Sequence, residues 1–257
     1  MHPVFFEVGS FEIRYYSLMY LLAIILSFIL LKEETSRKKI PLSKDEILNL
    51  VLLSVFGGII GARFYYVAFN WEYFGTHLGE IPAIRRGGLA SYGGFIAGFM
   101  TAYLYLRYHK ISVWRMADSV IPLVLLGEAC VRFGNFMNGE AHGYPTTLSL
   151  GIVFPPGSPA GNQFPNLPVH PAMLYQMFYN LFIFFLIWLW LRKMVWKDGF
   201  IASLTVILYS AGRFFIEGLR TDSLYLGKYR VAQIMSVILI TILTYVIAKK
   251  RLWIKSV

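Results

Sequence analysis

The chain has 257 residues, 57% of them hydrophobic and 17% aromatic, with 15% charged and a mean hydropathy of +0.57; soluble domains usually carry about 25% charged residues. A lone cysteine, Cys130, excludes an internal disulfide and a thiolate zinc cluster, and the net charge of +10 comes without a basic face of nucleic-acid-binding spacing. The composition predicts an all-α integral membrane protein, a single polytopic domain over residues 1–257, in which the cations flank membrane helices.

A crossing helix needs about 20 mainly apolar residues. Seven segments approach that length: residues 15–31, 47–69, 89–106, 116–130, 171–191, 200–216 and 231–248, the fourth being short. The stretch before the first is acidic and aromatic, with no small-residue cleavage site after the apolar run, so a retained helix is expected rather than a cleaved leader. Glycines punctuate the second and third segments. Gly57 and Gly61 in GGIIG, and Gly94 and Gly98 in GGFIAG, have the small-xxx-small spacing that lets helices approach closely, while Tyr92 beside them keeps a site reading open.

The lysines and arginines set an orientation. One set of alternating loops holds fifteen: Lys32, Arg37, Lys38, Lys39, Lys44, Arg107, Lys110, Arg115, Arg192, Lys193, Lys197, Lys249, Lys250, Arg251 and Lys255. The other set holds seven: Arg14, Arg85, Arg86, Arg132, Arg220, Lys228 and Arg230. Positive-inside bias then predicts a cytoplasmic C-terminus and, with seven crossings, an external N-terminus. Residues 131–170 follow the fourth segment as an outward-facing motif and cap. Their second half, GIVFPPGSPAGNQFPNLP, is rich in Pro and Gly, which predicts an ordered cap rather than a helix.

Ionisable side chains in a span cost at least ~2.5–3.5 kcal/mol and mark a pair or a function. In GRFFIEGLR, a helix would put Arg213, Glu217 and Arg220 at i, i+4 and i+7 on one face. They read either as a self-neutralising strip or as an anion site in which Glu217 holds two guanidiniums whose planar forks match phosphate. The stretch RFGNFMNGEAHG adds Arg132 on the same side, with Arg132, Asn135 and Gly139 near one helical line and Glu140 pointing elsewhere. Asn135 and Asn138 offer neutral donors and acceptors, and Gly134, Gly139 and Gly143 permit close backbone approach. Arg132 and Arg213 thus read as two walls of a phosphate pocket. Glu140, His142 and His170 match no zinc motif, so no metal is expected, and His170 before Pro171 suits a helix start. His2, His77 and His109 sit at loop positions.

In order, these features resemble the bacterial prolipoprotein diacylglyceryl transferase family over nearly the whole chain. VRFGNFMNGEAHG matches the family signature G-R-x-x-N-x-x-N-x-E-x-x-G except that Val131 replaces its first glycine. YYSLMY, GARFYYVAF, HPAMLYQ and GRFFIEGLR resemble four further family blocks. The resemblance implies an enzyme of the bacterial cytoplasmic membrane that moves diacylglyceryl from phosphatidylglycerol to a lipobox cysteine thiol, with no cofactor. It implies that Arg132 binds the lipid phosphate, that Arg213 is a second catalytic arginine, and that Tyr16, Asn135, Glu140, Gly143 and Glu217 support the site. Two positions depart from the pattern. Tyr92 stands where the family has a histidine, and Gln176 where it has glutamate. The proton acceptor is then Glu140 or His142, or the thiol ionises beside the arginines. The competing class is a lipid or organophosphate transporter using the same arginines. It calls for inverted repeats, and the two halves of the chain do not match.

Overall fold

The structure, a computed structural model, describes residues 3–8, 11–84 and 87–254, and its long elements are all helices. In chain order they are β1 (Val4–Val8), β2 (Phe11–Arg14), α1 (Tyr15–Arg37), α2 (Lys44–Phe69), the short α3 (Trp71–Phe74), α4 (Ser91–Tyr108), α5 (Val113–Asn138), the short α6 (Pro159–Gln163), α7 (Ala172–Leu189), α8 (Phe200–Glu217), β3 (Tyr225–Leu226), β4 (Tyr229–Arg230) and α9 (Val231–Lys250). Six helices, α1, α2, α5, α7, α8 and α9, are long and apolar enough to cross a membrane. Large apolar side chains such as Phe64, Phe182 and Ile242 lie exposed on them, as a lipid solvent allows. This is a multi-pass membrane protein. The third expected span corresponds to α4, whose 18 residues include four tyrosines and Arg107 and which is not among these six.

The all-α class holds for the long elements, and two short antiparallel hairpins, β1–β2 and β3–β4, are added at segments too polar or too short to register as spans. Two expectations need correction. The fourth span is not short: α5 runs 26 residues, through Pro122 and on through the polar motif to Asn138. The motif's side chains bond to one another, so the helix does not have to break to satisfy them. The sixth span ends at Glu217, where Gly218 closes the helix with an N–H to the Phe215 carbonyl. Arg220 is therefore past the helix, not at its i+7 position. Among the residues used in the sequence reading, His2, Arg85, Arg86 and Lys255 lie outside the described residues.

The chain forms two units, one of residues 1–30 and 117–257 and the other of residues 31–116. In the second, α2 and α4 pack backbone to backbone. A Cβ on Gly61 would run into Ala97 and the Gly93 carbonyl, and one on Gly57 into Thr101. Gly94 and Gly98 likewise face Gly58 and Ser54 backbone oxygens, so the glycine spacing serves helix packing. Beside this pair Arg63 is buried and donates to four carbonyls, those of Glu80 and Ile81 at 2.7 Å and of Gly87 and Gly88 at 3.0 and 2.9 Å, under the Phe74 ring. It ties Glu80, Ile81, Gly87 and Gly88 to α2.

The first unit has its own apolar core of Leu125, Ile183, Ile187 and Ile201 from α5, α7 and α8. The 139–171 segment packs against α7. Phe154, Ala160 and Val169 pack with Met173 of α7, and Ile152 pairs with Val169 through the backbone. The start of α8 depends on a neighbour. Gly199, with φ +94°, carries no capping side chain, and Asp118 of α5 caps in its place, accepting from Gly199 N at 2.8 Å and Ala202 N at 2.7 Å. A carboxylate suits both the orphan donors and the positive end of the helix dipole. Asp118→Ala should lower stability by about 1–3 kcal/mol, the range for losing a charged acceptor from buried donors. Thermal unfolding read through dye capture of Cys130 measures this, and an unchanged melting temperature would show that the cap contributes nothing.

Candidate active site

The site grows from one turn of α5. Glu128 and Arg132 are an i, i+4 pair, and Arg132 Nη2 donates to Glu128 Oε1 at 2.8 Å. Arg132 Nη1 donates to Asn135 Oδ1 at 3.2 Å. Asn135 Nδ2 in turn donates to Glu140 Oε2 at 3.2 Å, and Asn138 Nδ2 to Glu140 Oε1 at 3.4 Å. This chain closes because the helix stops at Asn138 and Gly139 takes φ +71°, with Ala141 at +58°, so the backbone doubles back. Gly139 is thus off the helical line expected for it. Glu140 does not point elsewhere but folds onto Asn135.

Helix α8 supplies the facing half. Tyr209 donates its hydroxyl proton to Glu128 Oε1 at 3.1 Å, linking α5 and α8 through one carboxylate oxygen. One turn on, Arg213 Nη2 lies 2.6 Å from Glu217 Oε2. Arg132 and Arg213 are within electrostatic reach of each other and of Tyr209. The expectation that Glu217 holds both later arginines is half right. Arg220 Nε is 3.9 Å from Glu217, while its fork grips Asp222 at 2.9 and 2.6 Å. Partial burial pushes the Asp222 carboxyl up, but Arg220's two hydrogen bonds and charge outweigh it and hold the group below the ordinary aspartate range.

The arginines are not saturated by these partners. Arg132 Nε and Arg213 Nη1 are both buried and find no hydrogen-bond partner among the described residues. An unmet buried donor costs about 1–3 kcal/mol, more when charged. The arrangement offers two guanidinium donors to an acceptor of high charge density, with the other ends of both guanidiniums held by carboxylates.

Other expected residues fall as follows. Tyr16, in the first turn of α1, packs over Gly134 and reaches Arg132 electrostatically, with its ring against Tyr20 at 5.2 Å. Gly143 has protein rather than open space beside it. A Cβ there would meet the Leu219 carbonyl at 2.6 Å and His170 Cβ at 2.8 Å, because Gly143 N bonds His170 O and Tyr144 N bonds Leu219 O. The same crossing of segments brings Arg220 against the motif through a backbone bridge to Gly143. His142 Nε2 pairs with Gln163 Oε1 at 2.8 Å, and His170 precedes α7 as a helix-start residue, its carbonyl accepting from Ala172 N. Gln176 is fully buried and donates to Asn180 at 2.8 Å. Tyr92 belongs to the other unit, in the first turn of α4, 60% exposed. Sequence reasoning missed Glu128, Tyr209 and Asp222. The i, i+4 spacing of Glu128 before Arg132, and of Tyr209 before Arg213, was the available signal.

Known proteins bear on this geometry. The family model described as prolipoprotein diacylglyceryl transferase matches residues 3–249. A Clostridium botulinum protein (strain Langeland) is 41% identical over 238 residues, covering 93% of this chain and 92% of its own length. An Acaryochloris marina protein is 39% identical, covering 92% of this chain and 86% of its own length, and a Listeria welshimeri protein is 37% identical, covering 98% and 91%. All three are named phosphatidylglycerol–prolipoprotein diacylglyceryl transferase. A model that spans nearly the whole sequence and relatives that align almost end to end place this chain in the prolipoprotein diacylglyceryl transferase family.

Proposed function

We propose that this chain transfers the diacylglyceryl group of phosphatidylglycerol to the lipobox cysteine thiol of prolipoproteins, forming a thioether and releasing glycerol 1-phosphate. The observation that carries the site assignment is the pair of buried, unpartnered guanidinium nitrogens, Arg132 Nε and Arg213 Nη1. In this reading both donate to the lipid phosphate. Tyr16, Asn135, Gly143, Glu140, Glu217 and Arg220 hold that arrangement. Asn135 and Glu140 fix Arg132, Glu217 fixes Arg213, and Gly143 lets the Arg220 segment cross the motif.

The chemistry is a displacement at carbon. The thiolate sulfur attacks the glyceryl carbon, the carbon–oxygen bond to phosphate breaks, and its electron pair stays on the departing oxygen. The thiol proton leaves, in the net reaction, with the phosphate monoester or solvent. Negative charge on the phosphate grows along this path, so donors placed around it bind the transition state more tightly than the diester. Glu140 has both carboxylate oxygens bonded to asparagine amides, which favours ionisation of the thiol beside the arginines over proton transfer to Glu140. Tyr92, at the family's histidine position, serves in this reading as a hydrogen-bonding residue for substrate, because a phenol hydroxyl donates and accepts hydrogen bonds but is a weaker base than an imidazole.

The reading extends to placement. The protein is a single polytopic domain of the bacterial cytoplasmic membrane in which α4 is a seventh crossing, residues 131–170 cap the outward side, the N-terminus is external and the C-terminus cytoplasmic. Support comes from the fifteen-to-seven division of cations between alternate loops and from α4's 18 residues, about 27 Å of helix.

Mass spectrometry of a lipobox peptide incubated with purified protein and phosphatidylglycerol should show the diacylglyceryl adduct; its absence overturns the assignment. In the same assay Arg132→Ala and Arg213→Ala should each lose about 10²-fold or more, the scale for a transition-state donor, while remaining membrane-inserted. Lysine should rescue poorly, having the charge without the fork. Full activity of Arg132→Ala would remove the phosphate role.

Topology has its own test. In a Cys130→Ser background, Ser158→Cys should react with an impermeant thiol reagent from outside, and a C-terminal tag should be reached only after the membrane is opened. Reaction of both from one side would sink the seven-crossing model.

Tyr92→Phe should cost only about 0.5–1.5 kcal/mol in kcat/KM, an ordinary hydrogen bond. A loss of ~10²–10⁴-fold, rescued by Tyr92→His, would instead make Tyr92 a proton-transfer residue.

A further inference from the structure

One acidic side chain in the site has no part in the phosphate reading. Glu128 bridges α5 and α8 through a single oxygen, Oε1, which accepts from Arg132 Nη2 at 2.8 Å and from the Tyr209 hydroxyl at 3.1 Å. With Asn135 on Arg132 Nη1 at 3.2 Å, both terminal nitrogens of the guanidinium are engaged and Nε is left over. Tyr209 spends its only proton on Glu128, which withdraws the phenol as a donor to a ligand. Glu128 therefore selects which donors the site offers.

Its charge has a second consequence. An anion on Arg132 Nε would sit about one guanidinium's width from the Glu128 carboxylate, close enough for a fixed negative charge to oppose it in proportion to its own charge. The transfer reaction raises that charge. A phosphodiester carries one negative charge, whereas a phosphate monoester carries about −1.5 to −2 at neutral pH. Two arginines alone would therefore hold the product more tightly than the substrate. A carboxylate on the same guanidinium acts against that bias.

We infer that Glu128 is a positioning residue that orients Arg132 and Tyr209 and whose fixed charge weakens, without reversing, the arginines' preference for a phosphomonoester dianion over a phosphodiester monoanion, so that the glycerol phosphate product is released. This rests on the transferase reading above. The deciding comparison is wild type against Glu128→Gln in detergent, with phosphatidylglycerol and lipobox peptide as substrates and glycerol 1-phosphate as added inhibitor. Glutamine keeps an oxygen that can accept from Arg132 and Tyr209, and only the charge is removed. The inhibition constant for glycerol 1-phosphate should fall about tenfold or more, and the KM for phosphatidylglycerol by a smaller factor. The steady-state rate should drop while the first turnover stays fast. A residue that merely kept the fold together would not move the ratio of these two constants.

An unchanged or raised inhibition constant in an active Glu128→Gln enzyme overturns the inference and leaves the transferase reading standing. A first turnover slowed more than ~10²-fold with product inhibition unaltered also overturns it, by making Glu128 a proton acceptor. Wild type that transfers nothing overturns both. Should Glu128→Gln fail to fold, Glu128→Asp retains the charge and must preserve the wild-type ratio of product inhibition to KM; a tenfold change in that ratio overturns the inference.

Discussion

Burying guanidinium groups in a lipid-facing protein is the constraint on which this site is built. A charged side chain in a span is costly, and removing the partner of a buried ion pair costs about 3–5 kcal/mol because it strands the other charge. For the three arginines near the motif the structure answers with a carboxylate each: Glu128 for Arg132, Glu217 for Arg213 and Asp222 for Arg220. The pairs lie on different elements, yet a few bonds join them. Tyr209 connects the α8 arginine helix to Glu128, and the backbone bridge of Gly143 with Arg220 fastens the end of α8 to the motif. The position of α8 is fixed from its other end as well, by Asp118 capping its first turn. Carboxylates from α5 therefore engage α8 at its first turn, through Asp118, and again at its middle, through Glu128.

The packing of the 139–171 segment against α7 follows from the same need. Charge pairs hold arginines only when the backbone around them is rigid, and a glycine-initiated reversal at Gly139 brings Glu140 back onto Asn135. The small core of Phe154, Ala160, Val169 and Met173 then anchors the returning chain to α7. Prolines remove donors that a loop in this setting would have to satisfy. The polar motif is thus less a ligand-facing loop than a helix end with a backward fold, and most of its side chains bond to one another.

What could be read in the sequence was whatever broke an apolar background. Arg132, Arg213 and Glu217 stood out because charge in a span demands an explanation, and the helices α1, α2, α7, α8 and α9 stood out by length and hydropathy. Glu128 escaped because it lay inside a segment already assigned as a span. Tyr209 escaped because a tyrosine reads as apolar until its hydroxyl has a partner, and Asp222 because it lies beyond the helix that carries its arginine. The end of α5 was misjudged for the opposite reason. Hydropathy falls where the motif begins, but a helix continues as long as its polar side chains can bond along one face, and Arg132 with Glu128 and Asn135 does that. Gly143 looked like a ligand contact because close backbone approach is all a glycine announces. In the fold, the group that comes close to Gly143 is the Leu219 carbonyl, with His170 beside it.

If these arginines bind a phosphate as proposed, neutralising each one and leaving it able to bind an anion are opposed requirements, and the geometry separates them within one functional group. A guanidinium has five N–H donors in a plane, so one edge can hold a carboxylate while another remains open. Arg132 commits both terminal nitrogens and keeps Nε; Arg213 commits Nη2 to Glu217 and keeps Nη1. An ammonium has no edges to divide in this way, and a carboxylate that neutralised it would occupy the same point charge a phosphate needs. The pairing that makes these arginines tolerable in a membrane protein is therefore also what leaves specific nitrogens unspent. The energy withheld from those donors in the resting site is available only to an acceptor that arrives at them.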